Sequence, residues 1–126
     1  MKITASRKFI RMSPRKIRLV ADLVRPMTID EALTTLKHLE KRAALPILKT
    51  LTQAVANAVN NHNLNKDTLT IHTLEVNQGS TYKRFQPVSK GRAHSIQKKT
   101  SHIKIVLESL TPKGQTLKEK KPKTKE

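Results

Sequence analysis

The stretch YKRFQPVSKGRAHSIQKKTSH, residues 82–102, decides how the rest of the chain must fold. It contains six lysines and arginines, no acidic residue and almost no apolar periodicity, with Pro87 and Gly91 near its middle. Composition alone would be compatible with a disordered tail. However, segments that alternate like β-strands lie on both sides of it, so both of its ends should be held. We therefore expect it to connect two strands of one sheet.

The size and composition of the chain indicate one small domain with an aliphatic core. The chain has 126 residues, enough for a single core, and its only aromatic residues are Phe9, Tyr82 and Phe85. Cysteine is absent, which excludes disulfides and thiolate chemistry. No apolar run approaches the roughly 18 residues that cross a bilayer, and the N-terminus lacks a signal-peptide pattern. We expect a soluble protein of the cytosol, or the mature form of an organellar protein.

The net charge of +17 is unevenly distributed along the chain. Residues 1–26 carry eight basic side chains against one acid, and residues 80–104 carry seven against none. Residues 27–79 carry five of each sign. Self-repulsion of this size is usually compensated by a polyanion, so nucleic acid is the expected partner. An anionic membrane is a weaker alternative, because no strongly amphipathic helix with exposed large apolar residues accompanies the charge.

Two short helices are predicted in the first third of the chain. The first begins with Ser13 as N-cap and Pro14 in the first helical position, and Pro26 closes it. Its apolar stripe comprises Ile17, Val20, Ala21 and Val24. The second helix begins with a capping box formed by Thr28 and Glu31.

A third and longer helix is predicted over residues 43–62. Pro46 is tolerated there because it falls in the first turn, and Asn63 lies at a plausible exit. The expected apolar stripe comprises Ala44, Ile47, Leu48, Leu51, Val55, Ala58 and Val59.

After residue 63 the spacing of the apolar residues changes from a period of 3.6 residues to a period of two, which indicates strands. In the strand that begins near Leu69, the apolar residues change face between Ile71 and Leu74, so we expect a bulge near His72 and Thr73. A second strand is predicted over residues 101–110. Residues 2–12 form a weaker third candidate, in which the residues in phase are Ile3, Ala5 and Phe9.

These elements predict an α+β fold in which three helices pack on a small antiparallel sheet, with a long protruding β-hairpin at about residues 79–102. Arms of about ten residues would project roughly 35 Å from the domain. An isolated two-stranded ribbon is marginal in water, so we expect it to be ordered against a partner. Residues 1–110 would form the single domain. Residues 111–126 form a basic low-complexity tail, expected to be disordered in isolation.

The chemistry of the hairpin favours RNA over DNA. Its lysines and arginines can pair with phosphates, and Tyr82 or Phe85 can stack on an unpaired base. Gly91 would allow a tight turn or a close backbone approach. The alternative is that this charge run is only a solvated face. The absence of acids favours nucleic-acid binding, because solvated faces normally mix both signs.

Catalysis finds little support in the sequence, and we expect neither an enzyme nor a bound metal or cofactor. The five histidines, His38, His62, His72, His94 and His102, are not spaced as metal ligands. Ser101 and His102 are neighbours and would point to opposite faces of a strand. Asp30 and Glu31 are expected to complement a helix dipole rather than to form an acid/base pair.

Three motifs resemble the bacterial-type large-subunit ribosomal protein twenty-two family: SPRKIRLVADL, ANA and KRFQPVSKGRAHSIQKKTSHI, in that order over about residues 3–108. The resemblance implies an early-assembling protein that binds 23S-type ribosomal RNA. Its globular part would lie near the polypeptide exit, and its hairpin would line the exit tunnel, where the tip influences macrolide sensitivity. It further implies contacts with neighbouring large-subunit proteins and the nascent polypeptide, and a cytoplasmic location within the large subunit.

The chain departs from the family pattern at a few positions. Val88 stands where the family usually has arginine, and Ser95 and Gln97 stand near positions that are often basic. Pro26 replaces a usual glycine. The hairpin is therefore less charged than the common pattern.

The residues predicted to contact RNA belong to two groups. The N-terminal group comprises Arg7, Lys8, Arg11, Arg15, Lys16, Arg18 and Arg25. The hairpin group comprises Tyr82, Lys83, Arg84, Phe85, Lys90, Gly91, Arg92, His94, Lys98, Lys99, Ser101 and His102.

Two functional hypotheses follow from the sequence. The first is a structural, non-enzymatic component of the large ribosomal subunit. The second is a free-standing basic nucleic-acid-binding protein or RNA chaperone that uses the same surface. Neither a membrane partner nor a homo-oligomer is expected.

Overall fold

The computed structural model describes residues 1–109, and within them the predicted α+β fold is confirmed. Three helices pack on a three-stranded antiparallel sheet, and a short 3₁₀ turn, Lys66–Thr68, precedes the second strand. The predicted tail at 111–126 lies outside the described residues. The elements are β1 (Lys2–Ile10), α1 (Pro14–Val24), α2 (Ile29–His38), α3 (Ala44–His62), β2 (Leu69–Pro87) and β3 (Ala93–Ser109).

The strand order is β1-β3-β2, so β3 is central and the sheet has two edges. Each edge strand pairs with β3 in antiparallel register, and Ile105 of β3 lies opposite both Ala5 and Leu74. The register of β2 shifts between Ile71 and Thr73, which confirms the predicted bulge. Because the extra residue inverts the alternation, apolar residues on both sides of the bulge can point into the core.

The first two helices begin where the sequence predicts. Ser13 is the N-cap of α1, and the predicted apolar stripe of that helix is buried. In the capping box of α2, Glu31 Oε2 accepts the Thr28 backbone N–H at 3.1 Å. The Thr28 hydroxyl and then its backbone N–H lower the pKa of Glu31, because both interactions favour the carboxylate.

The third helix ends as predicted, at Asn63 in the left-handed conformation, and most of its predicted stripe is buried or partly buried, but the buried side is rotated slightly. Val59 was expected in the core and is exposed, whereas Ala54 is fully buried. The buried side is shifted toward the alanines because small side chains let a helix approach its neighbours closely. The buried residues are Ala44, Ile47, Thr50, Leu51, Ala54 and Ala58.

The N-terminal strand was predicted correctly in part. Ile3 and Ala5 are buried as expected, but Phe9 is 59% exposed. A register irregularity between Arg7 and Ile10, with Phe9 at a positive φ of 55°, breaks the alternation. The aromatic ring consequently leaves the core that the phase of the strand assigned to it.

The core lies between the helices and one face of the sheet, and the hairpin extends beyond it. β1 pairs with β3 only as far as Ser101. From there outward β2 and β3 continue as a pair to Pro87 and Ala93. The paired arm from Gln78 to Pro87 corresponds to roughly 30 Å of strand. The long protruding hairpin is thus confirmed.

Candidate nucleic-acid interface

The hairpin presents its basic side chains to solvent, and within residues 1–109 none of them has an acidic partner. Every residue from 82 to 99 is exposed. Within residues 1–109, the ion pairs are made by Arg25, Lys66 and Lys104, and His72 contacts Glu108; all four residues lie outside this range. An unneutralised ribbon of this kind attracts a polyanion. Its cations are Lys83, Arg84, Lys90, Arg92, Lys98 and Lys99.

One face of the hairpin carries the only tyrosine together with several cations. The register places Lys98 opposite Tyr82, and Arg84 lies two residues further along on the same face. Cζ of Arg84 lies 5.9 Å from the centre of the Tyr82 ring, and Cζ of Arg11, just beyond β1, lies 5.6 Å from it. Both distances are within cation–π range. An aromatic ring flanked by guanidinium groups can stack on a base while the cations reach the adjoining phosphates.

The opposite face carries Phe85, which is 76% exposed. Ser95 lies across from it, and the neighbouring pair on this face is Lys83 with Gln97. No bulky apolar cross-strand partner covers the ring within this part of the hairpin. An unpacked aromatic ring in a basic setting is a second stacking platform.

The tip is a five-residue loop from Val88 to Arg92. The Val88 N–H donates to the carbonyl of Arg92 at 2.8 Å and closes the loop. Lys90 and Gly91 both adopt left-handed φ values, 61° and 68°. Nothing lies within 4 Å of where a Cβ would stand on Gly91, so the backbone at the tip is open to approach.

Two of the predicted RNA contacts, Ser101 and His102, are engaged inside the protein at the root of the hairpin. Ser101 is fully buried, and its hydroxyl donates to the carbonyl of Met12 at 2.6 Å. His102 Nδ1 accepts the Phe9 N–H at 2.9 Å, and the two rings meet edge to face at 4.8 Å. Together these contacts fix the root of the hairpin to the end of β1.

The second bulge of β2 packs tightly at the same place. It lies between Gln78 and Thr81, opposite the buried Thr100. The Thr100 hydroxyl donates to the carbonyl of Ser80 at 2.6 Å. A Cβ on Gly79 would stand 2.6 Å from that hydroxyl oxygen, closer than real contacts allow. Gly79 is therefore required by packing at this position.

The basic residues of α1 and its C-cap fall into two classes. Arg15 and Lys16, in its first turn, are exposed. Arg18 donates through Nε and Nη2 to the carbonyl of Val76 at 3.1 and 3.0 Å. Arg25 reaches the carbonyl of Leu74 in the same way, at 3.3 and 2.9 Å. Because β2 is an edge strand, these arginines satisfy carbonyls that would otherwise be unpaired, and they tie α1 to the sheet.

The remaining predicted contacts lie on exposed surfaces. Arg7 and Lys8 are exposed on β1, and Lys8 borders a shallow depression together with His102 and Lys104. His94 is exposed on the hairpin, across from Gln86.

The structure adds two cations that sequence reasoning missed. Lys41 and Arg42 precede α3 and line a groove at the root of the hairpin, which we call the root groove. They lie in the part of the chain whose charges balance, so composition gave no signal for them. The packing of α3 beside α1 places Lys41 and Arg42 next to the cations of α1 and the hairpin. The cations that line the root groove are Arg11, Lys16, Lys41, Arg42, Lys98 and Lys99.

Residues 1–109 hold no group of three or more His, Cys, Asp or Glu side chains able to bind a metal ion. None of the helices within this range is long and apolar enough to span a membrane.

The chain is similar to known proteins over most of its length. Residues 5–108 match the sequence model of the family described as Ribosomal protein L22p/L17e. A protein of Mycoplasma capricolum, named Large ribosomal subunit protein uL22, is 52% identical over 107 residues, 85% of this chain and 96% of the relative. The proteins of that name from Clostridium novyi and Chloroflexus aggregans are 50% and 43% identical, over 96% and 95% of their lengths. The chain therefore belongs to the Ribosomal protein L22p/L17e family.

Proposed function

We propose that this chain is a structural, non-enzymatic constituent of the large ribosomal subunit that binds 23S-type ribosomal RNA through its hairpin and its basic N-terminal part. Family membership supports the coarse role. The proposal that the chain binds RNA rests on the hairpin. Every residue from 82 to 99 is exposed, and the hairpin's cations have no acidic partners within residues 1–109. A ribbon without a core of its own needs a surrounding polyanion to stay ordered.

RNA suits this ribbon better than duplex DNA. Tyr82 and Phe85 lie on opposite faces of the hairpin, so unpaired bases can stack on both sides while phosphates meet the lysines and arginines. A paired duplex would leave both rings without a base to stack on. The RNA-binding domain would comprise residues 1–110, with the basic tail at 111–126 as an additional segment.

The placement of the protein in the subunit is proposed from its family membership, and the shape of the domain is compatible with it. The globular part would lie on the exterior near the polypeptide exit, in contact with neighbouring large-subunit proteins. The hairpin would reach inward, and its tip, with Lys90, Gly91 and Arg92, would face the nascent polypeptide in the tunnel. The narrow two-stranded form and the open tip loop support this placement, since no bulky element widens the end.

The proposed contact set distinguishes residues that touch RNA from residues that hold the hairpin. The exposed basic and aromatic side chains of the two predicted groups are assigned to RNA. Ser101 is assigned to the root, because its hydroxyl is buried against Met12. Arg18 and Arg25 donate hydrogen bonds to carbonyls at the edge of β2. Any contact with RNA would use the part of each guanidinium group that stays exposed.

A hairpin replacement tests whether this ribbon acts in RNA binding alone. Residues 82–98 are replaced by Asn-Gly, which joins the paired residues Thr81 and Lys99 through a two-residue turn. We expect the free variant to unfold cooperatively, with nearly the parental stability, because no core residue is removed. We also expect it to bind ribosomal RNA more weakly and to give subunits with altered tunnel architecture. Loss of folding in the free variant would show that the hairpin has a core role and would contradict the proposal.

Sedimentation separates the ribosomal role from that of a free-standing nucleic-acid-binding protein. Co-migration with large subunits should persist at salt concentrations that remove proteins held only by phosphate contacts. Release at modest salt, followed by equal binding to arbitrary nucleic acids, would favour the free-standing alternative.

A further inference from the structure

The root groove combines charge with an apolar floor, and this combination is not needed for phosphate binding alone. Its volume is about 540 Å³, and the residues that line it include six lysines and arginines and no acid. Leu19 of α1 also lines it and is 69% exposed, with Met12 and Val20 beside it. An exposed leucine surrounded by cations marks a place where an apolar group of a charged partner can be buried.

The size and chemistry of the groove determine which partner fits. A volume of several hundred Å³ accommodates one small organic group rather than a helix. A double-stranded RNA presents phosphates and 2′-hydroxyls but keeps its base faces stacked, so it would leave Leu19 uncovered. An unpaired nucleotide offers a flat base for the leucine and phosphates on both sides for the cations.

The groove is also continuous with the hairpin face that carries Tyr82. Arg11 lines the groove and places its guanidinium 5.6 Å from the Tyr82 ring, while Lys98 lines the groove and lies opposite Tyr82 in the register. A strand that stacks on Tyr82 can therefore enter the groove without leaving the basic surface. An acidic protein segment would match the charge of the groove but would gain nothing from the adjacent aromatic platform.

We propose that the root groove binds an unpaired nucleotide of RNA, with the base on Leu19 and the flanking phosphates on the surrounding cations. This inference rests on the proposed function and names a subsite within it. It assigns a role in RNA recognition to Lys41 and Arg42, two residues outside the basic regions of the sequence.

The apolar part of the proposal is tested with Leu19→Gln and the matched control Leu23→Gln. Both leucines are exposed on α1, one turn apart, but only Leu19 lines the groove. The full-length protein is titrated with an RNA stem carrying one bulged nucleotide and with the same stem fully paired. The parent should prefer the bulged stem. Leu19→Gln should reduce that preference about fivefold through the lost apolar contact, while Leu23→Gln should leave it unchanged.

The charged part is tested with the double variant Lys41→Ala/Arg42→Ala. Its control, Lys37→Ala/Lys49→Ala, removes two exposed cations of the same region that do not line the groove. The groove variant should weaken binding of both stems and reduce the slope of log K against log salt by about 1.5. The control should change the slope by much less.

Three outcomes would overturn the inference while leaving the proposed function intact. If both groove variants bind like the parent while the parent still binds ribosomal RNA, the groove is not an RNA subsite. If only the charge variant has an effect, the groove holds phosphates alone. If a polyglutamate peptide binds the parent more tightly than the bulged stem does and loses that affinity in Lys41→Ala/Arg42→Ala, the groove is a site for acidic protein. Failure of the parent to discriminate ribosomal RNA from arbitrary nucleic acid would instead contradict the proposed function.

Discussion

Replacing Gly79 by alanine should destabilise the protein by about 2–4 kcal/mol, although the added group is a single methyl. The new Cβ would stand 2.6 Å from Thr100 Oγ1 and 2.9 Å from His102 Cε1. Thr100 cannot move away freely, because it is fully buried and its hydroxyl bonds the carbonyl of Ser80. Breaking that bond costs about 1–3 kcal/mol and overpacking a further 1–3 kcal/mol, and partial relaxation keeps the total below their sum.

The assay is urea unfolding of the full-length protein, followed by far-ultraviolet circular dichroism at constant salt. Thr100→Ala alone should cost about 1–2 kcal/mol through the lost hydrogen bond. The double variant Gly79→Ala/Thr100→Ala should cost less than the sum of the two single changes by about 1 kcal/mol or more, because removing the hydroxyl relieves the collision. Gly91→Ala is the control, since its Cβ meets nothing within 4 Å and its strain is confined to the tip.

Two results would refute this reasoning. A Gly79→Ala protein as stable as the parent would show that the root of the hairpin is loosely packed. Strict additivity of the two substitutions would show that Gly79 and Thr100 do not share a contact. In either case the root of the hairpin would be held by the Ser101–Met12 and His102–Phe9 contacts and by strand hydrogen bonds, without a tight contact at Gly79.

Three further predictions concern the core, the sheet edge and the capping box. Ile105→Ala should lower the free energy of unfolding by about 3–4 kcal/mol, because this fully buried side chain lies in the central strand. A loss under about 1 kcal/mol in urea unfolding would contradict its place in the core. Arg18→Ala should lower the free energy of unfolding by about 1–1.5 kcal/mol, because the carbonyl of Val76 loses its hydrogen bonds. Arg18→Lys should recover only part of this stability, since lysine lacks the two paired donors of arginine. Full recovery would argue against the two-donor contact. Glu31 has a lowered pKa in the folded protein, so its stabilising effect is complete above about pH 4.5 and is lost as the pH falls through the folded value. The difference in thermal unfolding between the parent and Glu31→Ala should accordingly shrink at acidic pH, and a difference independent of pH would be evidence against the charged capping box.

Local signals were sufficient to predict the starts of the first two helices and the position of the first β2 bulge. Ser13, Thr28 and Glu31 act within one helical turn, so their effect on the backbone is contained in the nearby sequence. The bulge was predictable because the apolar alternation changes phase within a few residues. Phe9 and Val59 were wrongly predicted to lie in the core. A bulge in β1 turns Phe9 outward, and the rotation of α3 about its axis turns Val59 outward. Both the bulge and the rotation depend on the elements against which β1 and α3 pack.

Only part of the candidate interface could be predicted from local sequence. The exposed cations of the hairpin follow from composition, because a run with no apolar period cannot be buried. Ser101 could not be separated from them, as its burial depends on Met12, which is distant in sequence. Lys41 and Arg42 were missed for the converse reason, since their place in the groove depends on how helices from different parts of the chain pack.

The sequence by itself determined that the basic run of residues 82–99 links two strands of the sheet and cannot belong to the core. That conclusion needs only charge, periodicity and the cost of burying unpaired cations. The tertiary structure alone decided how the connection is held and which cations surround it. The buried hydroxyls, the Gly79 contact and the root groove each join residues from separate elements, and such contacts exist only after the chain has packed. Residues 82–99 are therefore exposed for a chemical reason, and the buried Thr100 and Ser101 anchor the root of the hairpin for a geometric one.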